Sequence, residues 1–220
     1  MINKIDQIDR IEGWFLIPAM HLFDSMNEVQ KKLGVNGHIF EIGTYYGRSA
    51  AVLGQLLRPE EKFRCCDTFS GNLSNENRFE NSLRKNYQDI VGKEVDQTFA
   101  CKSEALQGQL QKEYRIWHID GYHSYEVTLN DLKLGDQYTV DEGIIIVDDF
   151  LNQDWLGVCQ GLNEFLNNGD WAVYAYGHNK TFLCRKAMYL KYYQASKEIG
   201  MPYSPHNFLP FHGFNWVSFN

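Results

Sequence analysis

A chain of 220 residues with 44% hydrophobic residues can bury one sizeable core, and a formal net charge of -7 without a basic run excludes an extended nucleic-acid backbone as partner. The first residues hold no apolar segment of signal-peptide length and no apolar run approaches membrane-spanning length, so a cytoplasmic location without a membrane partner is expected. The cysteines Cys65, Cys66, Cys101, Cys159 and Cys184 lack metal-finger spacing, and their odd count suits reduced, mostly buried thiols.

Apolar strand-like runs alternate with helical patterns along the chain, the mark of a parallel α/β sheet. A helical lead-in occupies residues 1–35, with its clearest pattern over 17–33. His38-Ile39-Phe40-Glu41-Ile42 reads as the first strand, residues 48–57 as its helix closed by Pro59, and residues 62–66 as a second strand ending at Asp67. A polar, Asn-rich stretch over 70–81, loop and then helix, begins an insertion spanning 70–92 that is expected to lie over a site. Residues 95–101, 115–119 and 144–147 give three further strands, with a helix over 125–134 between the last two. Residues 171–175 and 181–184, joined through Gly177-His178-Asn179, are predicted to pair antiparallel at the sheet edge. With no internal repeat, residues 1–220 read as a single domain.

Two places carry chemistry. The first strand runs into Glu41-Ile42-Gly43-Thr44-Tyr45-Tyr46-Gly47-Arg48-Ser49-Ala50, a strand-to-helix turn of the kind that brings backbone N–H groups and a helix amino end to a ligand. A dinucleotide fingerprint would place a glycine where Tyr45 stands, which disfavours a nicotinamide oxidoreductase; plain packing is the alternative role for these glycines. Asp67 ends the second strand, where an acidic side chain can accept both hydroxyls of an adenosine ribose. The second place is Asp120-Gly121-Tyr122-His123-Ser124-Tyr125-Glu126 together with Ile144-Ile145-Ile146-Val147-Asp148-Asp149. Asp120 and the pair Asp148/Asp149 are expected at the carboxyl edge of the sheet, where open α/β sheets bind ligands. Hard divalent cations favour clustered Asp oxygens, and a carboxylate trio without a cation suffers like-charge repulsion, so the trio reads as a metal site, with helix caps and surface acids as the alternative.

The turn from Glu41 to Ala50 resembles the S-adenosylmethionine loop of class I methyltransferases, in particular of catechol-type O-methyltransferases. Ile119-Asp120-Gly121-Tyr122-His123-Ser124-Tyr125 with Asp131-Leu132, residues 143–150, Gly157-Val158 and Asn163-Glu164-Phe165 resemble the macrocin O-methyltransferase and cephalosporin-hydroxylase-like group, which acts largely on sugars and natural products. The resemblance covers residues 13–184. It implies a Rossmann-like class I methyltransferase sheet, mostly parallel with an antiparallel edge hairpin and helices on both faces. It further implies that Glu41, Gly43, Tyr45 and Ser49 contact the methionine half of S-adenosylmethionine, with Gly47 and Asp120 in the same cofactor-binding set. Asp67 would hold the ribose and Ser103 would stand on the adenine side. Asp120, Asp148 and Asp149 match divalent-metal ligands, usually Mg²⁺, and His123 falls where such enzymes carry the general base. The implied function is metal-dependent O-methylation of a small-molecule, sugar or catechol-like acceptor. The group also allows an oxygenase-associated or non-catalytic S-adenosylmethionine-binding protein.

His118, inside an apolar strand, reads as a packed core histidine, and His21, His38, His178, His206 and His212 show no zinc spacing. The extension over 187–220 is rich in aromatic residues, which points to core cover or a homodimer contact. Trp155 is a candidate for stacking on a substrate ring, with packing as the alternative.

Overall fold

The computed structural model describes residues 2–70 and 78–199. Among them one sheet is formed by β1 (His38–Ile42), β2 (Phe63–Asp67), β3 (Gln97–Ala100), β4 (Tyr114–Ile119), β5 (Thr139–Asp148), β6 (Trp171–Gly177) and β7 (Lys180–Arg185), in the spatial order β3-β2-β1-β4-β5-β7-β6. β1 to β5 run parallel, while β7 runs antiparallel to both β5 and β6. The predicted edge hairpin is therefore present, but its second strand, not its first, docks on the parallel sheet. Helices α1 (Ile5–Asp9), α2 (Ile17–Lys32), α3 (Arg48–Gln55), α4 (Arg78–Val91), α5 (Tyr125–Tyr138), α6 (Leu156–Asn168) and α7 (Tyr189–Ile199) complete the Rossmann-like fold. Two separate apolar clusters form, one holding Phe23, Val52, Leu53 and Tyr192, the other Trp117, Leu132, Leu162 and Trp171, as helices on both faces of a sheet require. No helix among the described residues is long and apolar enough to cross a membrane.

The central strand β4 is buried at all six positions, as a parallel strand covered on both faces must be, which explains its unbroken Ile116-Trp117-His118-Ile119 run. β5 starts at Thr139, earlier than its apolar run suggests, because Thr139 pairs with Tyr114 across a register shift, while Asp141 and Glu142 interrupt the apolar pattern between Val140 and Ile144. α6 falls where the chain offers weak helical propensity, since Gly157 and Gly161 each disfavour a helix by about 1 kcal/mol relative to Ala. Packing overrides that preference. Val158, Leu162, Phe165 and Leu166 are buried along one helical stripe, and a Cβ on Gly157 would lie 2.6 Å from the His123 carbonyl oxygen. The aromatic extension contributes core cover through α7: Tyr192 is fully buried and its hydroxyl donates to the Glu142 carbonyl at 2.7 Å. Tyr203, Phe208, Phe211, Phe214, Trp216 and Phe219, and residues 71–77 of the expected insertion, lie outside the described residues.

Candidate functional site

β1 and β4 are neighbours in register, so the turns leaving their carboxyl ends meet. Gly43, at φ 83°, is where they touch: a Cβ there would stand 2.0 Å from the Asp120 carbonyl oxygen, so a side chain would drive the two turns apart. Asp67 at the end of β2 organises the first turn. Its Oδ2 accepts the backbone N–H groups of Thr44 at 2.8 Å and Tyr45 at 2.9 Å, and its Oδ1 accepts that of Phe69 at 2.9 Å. Those bonds hold Tyr45 in the left-handed region at φ 48°, the conformation that a glycine takes more readily. The Thr44 hydroxyl adds a further donor to Oδ2 at 3.4 Å, so the position left for a ligand hydroxyl is on Oδ1, which otherwise accepts only the Phe69 N–H. The lead-in crosses above this turn. Arg48 donates to the Gly13 carbonyl at 2.7 Å and pairs with Asp9, the Tyr45 hydroxyl donates to Glu12 at 2.9 Å, and Trp14 stacks on Tyr45 with centroids 5.4 Å apart.

A short turn after β4 carries the second half of the site. Asp120 leaves the strand, and Ser124 caps α5 by accepting the Val127 N–H at 3.4 Å, so His123 is fixed just ahead of the helix. Its Nε2 lies 3.1 Å from Asp149 Oδ2 and 3.7 Å from Asp120 Oδ1, and its ring stacks on Trp155 at 4.6 Å between centroids. Burial opposes a charged imidazole, but Asp120 and Asp149 outweigh it and raise the His123 pKa to about 9. Asp149 adopts φ 61°, and its Oδ1 accepts both the Asn152 amide, at 2.9 Å, and the Asn179 amide. Burial opposes its ionisation, yet bonds from His123, Asn152 and Asn179 keep its pKa below the ordinary carboxylate value.

The edge hairpin supplies residues that sequence reasoning missed. His178 and Asn179, at φ 51° and 67°, form a two-residue turn whose twist suits a hairpin. In that register Lys180 stands directly opposite Asp148. Lys180 is 3% exposed, its ammonium pairs with Asp148 Oδ2 and lies 4.6 Å from the Phe15 ring centroid. Asp148 Oδ1 accepts the Asp149 N–H at 3.0 Å, so both oxygens of this carboxylate are engaged within the protein. Burial and the neighbouring Asp120 push the Asp148 pKa up, whereas His123 and Lys180 outweigh burial and hold Asp120 low. The signal for Lys180 was a lone basic residue opening an otherwise apolar strand, and only the strand register gives it a partner.

One cavity of about 1020 Å³ joins both halves. Its wall includes Gly43, Tyr45, Ser49, Asp67, Ser103, Asp120, His123, Asp148 and Asp149 from the predicted set. Glu41 and Gly47 are not on that wall. Glu41 is fully buried beneath it and pairs with His118 Nδ1 at 2.9 Å, which also gives the core reading of His118 its partner. Burial pushes the Glu41 carboxyl up, against hydrogen bonds from His118 and Ser49. Gly47 faces α4, where a Cβ would meet Leu83 Cδ1 at 2.7 Å. As for a cation, Asp120, His123 and Asp149 offer ligand atoms all within 4.8 Å of one another. The oxygens of Asp120 and Asp149 suit a hard divalent ion, while Asp148 would first have to release Lys180.

A methyltransferase-domain family matches residues 40–150, which contain both turns. Among solved structures, this chain is similar to the O-methyltransferase NovP at a TM-score of 0.61 and 17% identity, over 76% of this chain and 79% of that one. It is similar to an O-methyltransferase from Bacillus cereus in complex with S-adenosylhomocysteine at a TM-score of 0.60 and 13% identity, covering 81% and 88% of the two chains. CalS11, a TDP-rhamnose 3'-O-methyltransferase of calicheamicin biosynthesis, matches at a TM-score of 0.56 and 16% identity over 83% and 87%. No curated protein sequence matches this chain.

Proposed function

We propose that this chain, which belongs to the methyltransferase-domain family, transfers the methyl group of S-adenosylmethionine to a hydroxyl oxygen of a small-molecule, sugar or catechol-like acceptor. The observation that carries the reading is the continuity of the cavity, which runs from the Gly43–Asp67 turn to His123 and Asp149 without a dividing wall. The B. cereus enzyme binds S-adenosylhomocysteine and CalS11 acts on a sugar nucleotide, and both share this fold. Trp14 and Tyr122, 83% and 77% exposed on the same cavity wall, offer flat apolar faces to a ring-shaped acceptor.

A sulfonium methyl is strongly electrophilic, so the protein has to align donor and acceptor and remove one proton. The acceptor oxygen forms a bond to the methyl carbon as the carbon–sulfur bond breaks, and the electron pair goes to sulfur, which leaves as a neutral thioether. The acceptor proton goes to Nε2 of neutral His123. Trp155 holds that ring in plane and the Ser124 cap holds its backbone, so the base is positioned before substrate arrives. Asp120 and Asp149 would hold a divalent cation, which would supply a lowered pKa and a fixed geometry for neighbouring acceptor hydroxyls.

Incubation with S-adenosylmethionine and a panel of glycosides, catechols and flavonoids, read by mass spectrometry, should give products heavier by one methylene. Excess chelator should abolish the gain and Mg²⁺ or Mn²⁺ should restore it, with little change in donor affinity. Full turnover in chelator would leave a metal-free methyltransferase, and donor binding without any product would favour the non-catalytic alternative. Asp67→Ala should weaken S-adenosylmethionine binding by about 1.5–3 kcal/mol in calorimetry, because it removes a charged acceptor of the ribose hydroxyl and also frees the Thr44–Tyr45 turn. Unchanged affinity in a folded variant would take Asp67 out of the site.

A further inference from the structure

The turns after β4 and β5 carry an apolar rim outside the reacting groups. Tyr122 and Leu156 are 77% and 70% exposed, and Leu151 and Trp155 are 48% and 43% exposed. They belong to one surface because the turns touch. A Cβ on Gly157 would lie 2.6 Å from both the His123 carbonyl oxygen and the Tyr125 nitrogen, and the Trp155 ring stacks on that of His123. Tyr122 and Trp155 also stand on the cavity wall, so the rim continues outward from the reacting centre. Large apolar side chains grouped in the open at the mouth of a cavity mark a binding surface rather than stray exposure.

Charge at this rim decides what kind of molecule it suits. Residues 120–126 and 148–157, which make the rim, contain no lysine or arginine. Lys180 behind them is buried and matched by Asp148. A divalent cation on Asp120 and Asp149 would match those two carboxylates and leave no positive charge over, so the exposed acids Glu126 and Asp154 set the sign of the rim. The cations on the cavity wall stand elsewhere: Arg48 is paired with Asp9, and Lys102 follows β3, across β1. Arg78 opens α4, between β2 and β3 in the chain, and belongs to that far side too. The amino ends of α5 and α6 favour a negative group nearby, but Glu126 and Asp154 already supply one at each. Phosphate and carboxylate ligands are typically held by arginine and lysine, and the rim places neither.

We infer that the acceptor is uncharged where it crosses this rim and lays an apolar ring on Tyr122, Leu151, Trp155 and Leu156, so that acceptors bearing a phosphate or carboxylate there are rejected. The inference rests on the methyl-transfer reading and narrows its acceptor to neutral phenolic compounds and glycosides of a neutral ring aglycone. It sets apart sugar nucleotides of the kind that CalS11 methylates. Rejection has two sources: an anion gives up its water shell without gaining a cationic partner, and it meets Glu126 and Asp154.

The test is steady-state kinetics on the full chain, with saturating S-adenosylmethionine and Mg²⁺, on two matched pairs: methyl caffeate with caffeate, and 4-methylumbelliferyl rhamnoside with TDP-rhamnose. The neutral member should have the higher kcat/KM by roughly 5–30-fold, the effect of one charge several ångströms away at a protein surface. Raising salt from about 20 mM to about 500 mM should shrink that ratio, which a difference in size or shape alone would leave unchanged. Tyr122→Arg should shrink it as well, whereas Leu190→Arg, the same change of charge on the exposed face of α7, should not. A ratio that moves equally in both variants would overturn the placement at the rim. Use of the charged member as readily as the neutral one by the wild type overturns the inference alone and needs no variant to fold. Transfer to none of the four compounds, with the donor bound, overturns the acceptor reading and this inference with it.

Discussion

His123→Ala should leave S-adenosylmethionine affinity nearly unchanged while lowering kcat by about 10²–10⁴-fold, the usual contribution of a positioned general base. The separation of the two effects follows from the geometry. His123 lies on the β4–β5 side of the cavity with Asp120 and Asp149, whereas Asp67 and Ser103, to which we assign the donor's ribose and purine, lie on the β2–β3 side. The pH dependence supplies a second signature. A base acts when neutral, so the rate falls with pH below the imidazole pKa, and Asp120 and Asp149, outweighing burial, hold that pKa up at about 9. The acidic limb should therefore lie above the ordinary histidine range when those carboxylates face the ring, and move to lower pH when a divalent cation takes them. His123→Ala should lose the limb altogether, and His123→Lys should recover part of the rate at high pH. Steady-state kinetics across pH 5–10 with saturating donor measures all of this, and wild-type turnover by the alanine variant would return His123 to a structural role beneath Trp155.

The legible parts of this molecule were those encoded locally. β1, β2 and β4 are short apolar runs closed by a turn or an acidic residue, and they stand within about two residues of their expected limits. The same local logic brought Asp67, Asp120, His123, Asp148 and Asp149 to one cavity, since each ends or follows a strand whose direction in a parallel sheet is fixed. What stayed hidden depended on register or on packing between distant elements. Glu41 reads as a turn-adjacent acid, but strand alternation turns its side chain beneath the wall, opposite His118. Lys180 and Asn179 reach the site only because β7, rather than β6, lies against β5. α6 was weakened as a signal by the very glycines that let it approach the His123 turn.

Lys180→Met should destabilise the protein by about 3–5 kcal/mol in urea unfolding, the range for removing one partner of a buried ion pair. Both members of this pair are nearly inaccessible, at 3% and 6% exposure, so water cannot replace the ammonium that is lost. The cost arises from the carboxylate left behind rather than from any large attraction in the intact pair, and a double variant separates the two. Lys180→Met with Asp148→Asn removes both charges and should recover most of the stability, giving a coupling well outside the error of additivity. The methionine keeps the packing of the lysine stem against Phe15, so an uncorrected loss in the double variant would assign the effect to that contact instead. The same pair of variants bears on the cation. In the wild type Asp148 is already matched by Lys180, and an added divalent ion has Asp120 and Asp149 to bind. In Lys180→Met the third carboxylate becomes available, so Mn²⁺ should raise the melting temperature of this variant by more than it raises that of the wild type. An equal rise in both would mean that Asp148 serves only as the seat of Lys180 and that the acceptor is positioned by two carboxylates rather than three.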